Sequence, residues 1–332
     1  MKYSLTWSLA LRNLEVESIP HGTHRPAQDM ASQDPLISVI IPHLNQPGAL
    51  SACLDSLSSQ TVERSAFEVI VVDNGSTTLP EAVIGRYPGT LLLQEAARGP
   101  GPARNRGVRA ARGSILAFTD SDCRAHPDWL KAARQSFAHA GPRTILGGDV
   151  QIWRNPDHPV SAVEAYETVF AYRFKLYMEQ HGFCGTGNLV LRKADFEIIG
   201  PFRGIEVAED MEWGGRALRA GYTFRYVPEI IVYHPARGSF RELRIKWDRH
   251  IQHAVNARDA DLRWHVRWNL RALAVLISPA VDWTKIVASQ RLHGVAPRMK
   301  AMAVLTAIRA YRAFKMISLL LAKRQVQWNQ NR

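Results

Sequence analysis

The stretch S-I-L-A-F-T-D-S-D-C-R-A-H-P-D-W-L, residues 114–130, decides how the chain is read. Ser114–Thr119 is a short apolar, β-branched run that reads as a buried strand. It stops at Asp120-Ser121-Asp122, and Pro127–His139 then reads as a helix with Trp129 and Leu130 in its first turn. Two carboxylates flanking one residue at a strand end can share a hard divalent cation, which prefers oxygen ligands and keeps substrate phosphates as further ligands. Asp-x-Asp also occurs in ordinary solvated turns, so its weight comes from the strand before it.

The same punctuation recurs upstream. Leu36–Ile41 (LISVII) is an apolar run ended by Pro42, and Leu50, Cys53, Leu54 and Leu57 follow at helical spacing. Phe67–Val72 (FEVIVV) ends at Asp73-Asn74-Gly75-Ser76, a strong turn signal. Thr90–Leu93 is a third strand candidate, and residues 102–112 a helix opening with Pro102. Strands alternating with helices imply βαβ units, a mostly parallel doubly wound sheet and an α/β fold. Ligands of such sheets sit at the carboxyl ends of the strands, where His43–Gln46, Asp73–Ser76 and Asp120–Asp122 all fall. Further on, Val160–Tyr177 reads as one long aromatic-rich helix, Gly182–Arg192 as a loop and strand, Val207–Ala220 as a helix and Tyr222–Tyr233 as extended chain.

Other residues carry candidate chemistry. Asp73 can accept hydrogen bonds from a nucleobase or ribose, or merely cap its own turn. Arg104 and Asn105 open a helix after a Gly/Pro loop, which suits phosphates or a base. That loop is neither GxGxxG nor GxxxxGK[ST], so the dinucleotide-fold and P-loop readings fail. Glu206, Glu209, Asp210 and Glu212 crowd four carboxylates together, and like charges raise one another's pKa. Such a carboxylate can serve as a general base, or simply stabilise a helix start. His234 could complete a metal site, with Mn²⁺ tolerating imidazole better than Mg²⁺.

Composition bounds the rest. The chain has 332 residues, 46% hydrophobic and 22% charged, as an ordinary folded protein has. Its net charge of +12 is uneven: from Arg237 onward 19 Lys and Arg face 5 Asp and Glu, while residues before it are close to neutral. The basic excess therefore describes a C-terminal appendage, and no nucleic-acid reader motif accompanies it. Cys53, Cys123 and Cys184 lie far apart, so a disulfide framework is not expected and a reducing compartment is. No signal peptide and no spanning helix are expected.

In order, ISVIIPHLNQ (37–46), VIVVDNGS (69–76), GPARNRGVRAARG (101–113), ILAFTDSDCRAHPDWL (115–130), GTGNLVLRKADFEIIGPF (185–202), AEDMEWGGRALRAGY (208–222) and VPEIIVYHP (227–235) resemble the inverting family 2 glycosyltransferases, whose nucleotide-sugar fold is called GT-A. The resemblance covers about residues 36–234. It implies a GT-A domain over 35–236, after a loose leader at 1–34 and before a basic helical region at 237–332. It implies that Asp73 holds the base, helped by Pro42, Asn45, Arg104 and Asn105, and that Asp120 sits near ribose and donor sugar. Asp120 and Asp122, with His234, would hold Mn²⁺ or Mg²⁺. Gly187 and Asn188 would line the donor side, and Asp210, in the pair Glu209-Asp210, would be the catalytic base. His43-Leu44 departs from the commoner Thr-Tyr, and the usual Arg after the acidic pair stands at Arg216.

The implied partners are a nucleotide-sugar donor, a UDP-sugar foremost, and a carbohydrate or lipid-linked acceptor in cell-surface polysaccharide or glycolipid synthesis. The expected location is cytoplasmic, peripheral at the membrane. Two alternatives are a non-catalytic scaffold of the same fold and a sugar-nucleotide pyrophosphorylase; the latter would carry an early Gly-rich triphosphate loop that PHLNQPG lacks. For the appendage, residues 264–324 read as helices on an anionic membrane, with Arg263, Arg267, Arg271, Lys285, Arg309, Arg312, Lys315 and Lys323 toward headgroups and Trp264, Trp268 and Trp283 at the interface. A helical packing or oligomer element is the other reading. The stripe Ala303, Ala307, Ala310, Phe314, Ile317 and Leu321 marks one helix face there.

Overall fold

The computed structural model describes residues 37–256 and 262–321, so the leader read at 1–34 lies outside the described residues. The elements run β1 (Ile37–His43), α1 (Pro47–Ser58), β2 (Phe67–Asp73), α2 (Glu81–Ile84), β3 (Thr90–Gln94), α3 (Pro100–Ala110), β4 (Ile115–Thr119), β5 (Arg124–Ala125), α4 (Trp129–Ala138) and β6 (Thr144–Trp153). There follow α5 (Ala162–Phe170), α6 (Phe174–Leu176), β7 (Asn188–Arg192), α7 (Lys193–Ile199), α8 (Glu209–Arg219) and β8 (Thr223–Pro235). The remainder is α9 (Phe240–Asn256), α10 (Leu262–Ile277), α11 (Pro279–Val287) and α12 (Val295–Leu321).

Two compact units emerge, one from residues up to 151 with 172–234, the other from 152–171 with 235 onward. The first holds the sheet, ordered β3-β2-β1-β4-β7-β6-β8-β5. Strands β3, β2, β1 and β4 pair in parallel, each fed by a helical crossover. The runs of β2, β1 and β4 are largely apolar because both faces are covered, whereas β3 is a half-exposed edge strand. Val39, Ile41, Val69 and Val71 point to one core with α1 and α4, whereas Ile40, Ile70 and Val72 point to the other with Val108 and Trp213. This is the α/β, GT-A type sheet with flanking helices that the sequence implies. The second half of the sheet adds antiparallel pairs, β4 with β7, β6 with β7 and β5 with β8.

Register builds the site. His43 lies opposite Asp73 in β1 and β2, so two strand-end side chains meet. Thr119 lies opposite Asn188, which sets Gly187 beside Asp120. Arg124 lies opposite Tyr233, which brings 122–123 to His234.

The single helix read over Val160–Tyr177 is corrected. Helix α5 starts at a capping box of Ser161 and Glu164 and ends at Phe170. Tyr172 then takes φ 47°, a left-handed conformation that breaks the helix, before α6 and a π-turn at Tyr177–His181.

In the second unit, α5, α9, α11 and α12 enclose Tyr166, Leu243, Ile286, Leu305 and Ile308, while Ile251, Trp268, Ala272 and Met316 form a further cluster. One expectation changes here, the placing of every cation and tryptophan at a membrane. The stripe Ala303, Ala307, Ala310, Phe314 and Ile317 is the exposed side of α12, and its packed side runs through Ala301, Leu305, Ile308, Arg312 and Met316. Arg312 hides that packed side from a hydropathy pattern: it is buried, with its guanidinium 3.5 Å from the Trp247 ring centroid. The tryptophans and cations are not all interfacial. Trp268 is buried, donates to the Met316 carbonyl at 2.9 Å and stacks on Trp264. Arg309 donates to Asp282 at 2.8 Å. Lys323, and the side chain of Arg263, lie outside the described residues.

Candidate active site

At the carboxyl ends of β1 and β2 the two following loops are clasped together. His43 and Asp73 are buried, with Nδ1 of His43 3.1 Å from Oδ1 of Asp73. Oδ2 of Asp73 accepts from the backbone N–H groups of Gly75 and Ser76 at 3.1 and 3.0 Å. Burial pushes the Asp73 carboxyl up, but the bonds from Ser76, His43 and Gly75 outweigh it and hold the group below its usual range. Asn45, at φ 53°, accepts from the Thr77 N–H at 2.9 Å and donates its own N–H to Ser76 Oγ at 2.8 Å. Pro42 is buried in β1 opposite Val72. Asp73 therefore organises its loop with three of its roughly four acceptor positions. The sequence marked His43 in the strand-end cluster His43–Gln46 and as a departure from the commoner pair, without showing its contact with Asp73.

The centre is Arg104, in the second turn of α3. Its side chain is 3% exposed. It donates through Nη2 to Asp120 Oδ1 at 2.6 Å and through Nη1 to Glu209 Oε1. The helix after β3 thus ties the end of β4 to the start of α8. Asn105, one residue on, uses its amide on Phe202: it donates to the carbonyl at 2.8 Å and accepts from the N–H at 2.9 Å. This holds the segment before α8, so Asn105 acts as an anchor within the protein.

Asp210 points about 100° away from Glu209, as neighbours on a helix do. It is half-buried, and its Oδ1 accepts from the Thr186 N–H at 3.2 Å. Burial is the largest influence on this carboxyl and, with Glu209 and Asp120 adding repulsion, pushes it up to about 6 although Arg104 and Thr186 pull it down. The loop 185–187 that supplies Thr186 also supplies Gly187. A Cβ at Gly187 would stand 3.1 Å from Asp120 Oδ2, so glycine lets the backbone approach that carboxylate. Asn188, next in the chain, is fully buried. It donates to the carbonyls of Asp149 and Ile230 at 2.9 and 2.8 Å and accepts from Trp129 Nε1–H at 2.9 Å. With both donors and its oxygen engaged, it pins β7, β6, β8 and α4 together.

Asp122 and His234 form the second acidic feature. Nε2 of His234 lies 3.4 Å from Asp122 Oδ2, and Cys123 Sγ completes a group of ligand-type atoms within 4.8 Å of one another. Burial raises the Asp122 carboxyl above its ordinary range; His234 pulls it down and Asp120 pushes it up. Burial and the two aspartates push the Cys123 thiol well up, so it stays protonated and suits a hard cation poorly. The donor set that fits a divalent cation is thus the Asp122 carboxylate and the His234 imidazole; Asp120, bonded to Arg104 through Oδ1, stands outside that group of atoms. A cation there would relieve the repulsion between the two aspartates. Tyr172 covers this corner, its ring 4.6 Å from that of His234 and its backbone in the strained region noted above. Neither Tyr172 nor Thr186 carried a sequence signal beyond its neighbours, since each acts through backbone conformation or a backbone N–H.

A strand-end Asp-Ser-Asp, a buried arginine spanning two acids and a half-buried aspartate at a helix start thus meet at the carboxyl ends of the strands. Residues 38–199 match the family model described as glycosyl transferase family 2. Glycosyltransferase AglE of Haloferax volcanii is 32% identical over 214 residues, covering 63% of this chain and 69% of that protein. Validoxylamine A glucosyltransferase of Streptomyces hygroscopicus subsp. limoneus is 32% identical over 249 residues, covering 65% of this chain and 53% of the relative, about half its length. Among solved structures, the mannosyltransferase PcManGT from Pyrobaculum calidifontis in complex with GDP-Man and Mn²⁺ shares the fold, with a TM-score of 0.54 at 20% identity over 91% of this chain and 92% of the other. The chain belongs to glycosyl transferase family 2, and it is a glycosyltransferase.

Proposed function

We propose that the protein transfers a sugar from a nucleoside-diphosphate sugar to an acceptor hydroxyl in one displacement with inversion, and that Asp210 is the general base. One observation carries this reading: Asp210 is held by Thr186 on the loop that brings Gly187 against Asp120, and its carboxyl is raised to about 6. That value lets it be ionised near neutrality while remaining a better proton acceptor than an exposed aspartate.

In the reaction, Asp210 takes the proton of the acceptor hydroxyl. The hydroxyl oxygen forms its bond to the anomeric carbon as the bond from that carbon to the diphosphate oxygen breaks, and the nucleoside diphosphate leaves. Arg104 holds Asp120 and Glu209 in fixed positions, so the acids around the donor do not rearrange as charge moves. The clasped loops at His43–Ser76 would receive the base and ribose. Asp122 and His234 would hold a divalent cation. When bound, such a cation neutralises charge on the departing diphosphate; the Mn²⁺ in the solved mannosyltransferase complex supports the same expectation here. The acceptor is a carbohydrate or lipid-linked hydroxyl, and three free, buried cysteines agree with a cytoplasmic setting.

The test is nucleotide release by the purified protein against UDP-, GDP- and dTDP-sugars with Mn²⁺ or Mg²⁺. Release with one donor, and an inverted anomeric configuration in the product by NMR, supports the reading. Donor binding without release in the presence of any acceptor preparation would overturn it.

A further inference from the structure

We propose that α10 and α11 form a surface that seats on an anionic lipid bilayer, lying in the plane of the interface. The proposal concerns the second unit alone and stands independently of the assigned chemistry.

Helix α10 is apolar on two opposite sides. Trp268, Ala272 and Val275 face the interior of the unit. On the far side Val266, Leu270, Leu273 and Ile277 are 60%, 61%, 55% and 62% exposed. At 3.6 residues per turn these four fall within a sector of about 60°. A helix apolar on both sides is ordinarily covered on both. Beyond Ser278, Val281 of α11 is 69% exposed. An exposed stripe of large aliphatic residues of this kind marks an interaction surface.

Charge identifies the occupant. From Trp264 to Val287 the cations are Arg267, Arg271 and Lys285, and the one acid is Asp282. Asp282 is buried and bonded to Lys285 and Arg309 at 2.6 and 2.8 Å, so no carboxylate of these helices faces outward. An apolar stripe with cations and no exposed acid matches acyl chains beneath anionic headgroups. A second copy of the chain is a poorer match. A two-fold contact would set this face against itself and bring like charges together. Among the described residues no helix is long and apolar enough to cross a membrane, so the geometry is that of a helix lying on the surface. The surface differs from the one read off composition, because Trp268, Arg309 and Arg312 face inward and the aliphatic stripe of α10 replaces them.

The test is co-sedimentation of the full chain with vesicles of phosphatidylglycerol and phosphatidylcholine, against vesicles of phosphatidylcholine alone. Binding to the anionic vesicles at low salt is expected, weaker by at least about tenfold on neutral vesicles, and reduced by salt. Leu270→Asp with Leu273→Asp should lower anionic-vesicle binding by at least about tenfold while the melting temperature holds, because both side chains are exposed. Leu270→Ala with Leu273→Ala, a milder pair, should fall between. No sedimentation with anionic vesicles at low salt overturns the proposal, as does equal sedimentation of the wild type and both paired variants. A wild-type dimer by light scattering that the aspartate pair converts to monomer, with no vesicle binding by either, assigns the face to self-association instead.

Discussion

Arg104→Gln removes the one cation that Asp120 and Glu209 share. The guanidinium is 3% exposed, Glu209 15% and Asp120 35%. Breaking a fully buried ion pair by removing one partner costs about 3–5 kcal/mol, because the other charge is left unpaired. Here two acids are stranded, but Asp120 retains water, so a loss of about 2–4 kcal/mol is the working figure. For a unit of this size that corresponds to a drop in melting temperature of roughly 4–16 °C. The loss is measured by thermal melts at pH 8 followed by circular dichroism. The catalytic readout is separate. Arg104 lowers the Asp210 carboxyl, so its removal should move the acidic limb of the pH–rate profile upward from about 6. A variant with an unchanged melting temperature at pH 8 and an unmoved acidic limb would refute the view that Arg104 is the hub of the site.

Two further expectations rest on single residues. Asn188→Ala leaves the carbonyls of Asp149 and Ile230 and the Trp129 indole N–H without their buried partner; a destabilisation of at least about 3 kcal/mol in urea melts is expected, and a loss under about 1 kcal/mol would show that the pin is dispensable. Asp122→Asn should weaken Mn²⁺ binding by at least about tenfold, since one anionic oxygen ligand is lost while shape is kept, with His234→Ala milder; calorimetry with unchanged Mn²⁺ affinity in Asp122→Asn would remove it from the ligand set.

The parallel half of the fold was legible because it is written locally. LISVII, FEVIVV and SILAFT are apolar runs that end in polar turns, and Ile37–His43, Phe67–Asp73 and Ile115–Thr119 are the buried strands they give. The antiparallel half is set by register between distant segments, such as Thr119 opposite Asn188, which no local pattern carries. The same reason separates the site residues. Asp120, Asp122, Asp210 and His234 stand in motifs, whereas the bond of His43 to Asp73 and the support of Asp210 by Thr186 exist only after strands and loops meet. Asn105 and Asn188 stand beside Arg104 and Gly187 in the sequence, but no local pattern shows that their amides bond buried backbone, where an unpaired polar group would be costly. In the second unit, Arg312 was legible only as a cation for headgroups, because a local pattern does not show that its charge is set against Trp247 and away from solvent.

The claim that Asp210 is the base is tested most directly by comparing Asp210→Asn with Glu209→Gln in single-turnover sugar transfer across pH, with donor affinity measured alongside by calorimetry. Wild-type turnover should fall as pH drops through about 6, as the Asp210 carboxyl takes up a proton. Asp210→Asn should keep donor affinity, lose roughly two to four orders of magnitude in turnover and lose that acidic limb. Glu209→Gln keeps a neutral partner for Arg104 and should cost less while retaining the limb. If Asp210→Asn turns over with the wild-type pH dependence and Glu209→Gln is the inactive variant, the assignment of the base is contradicted.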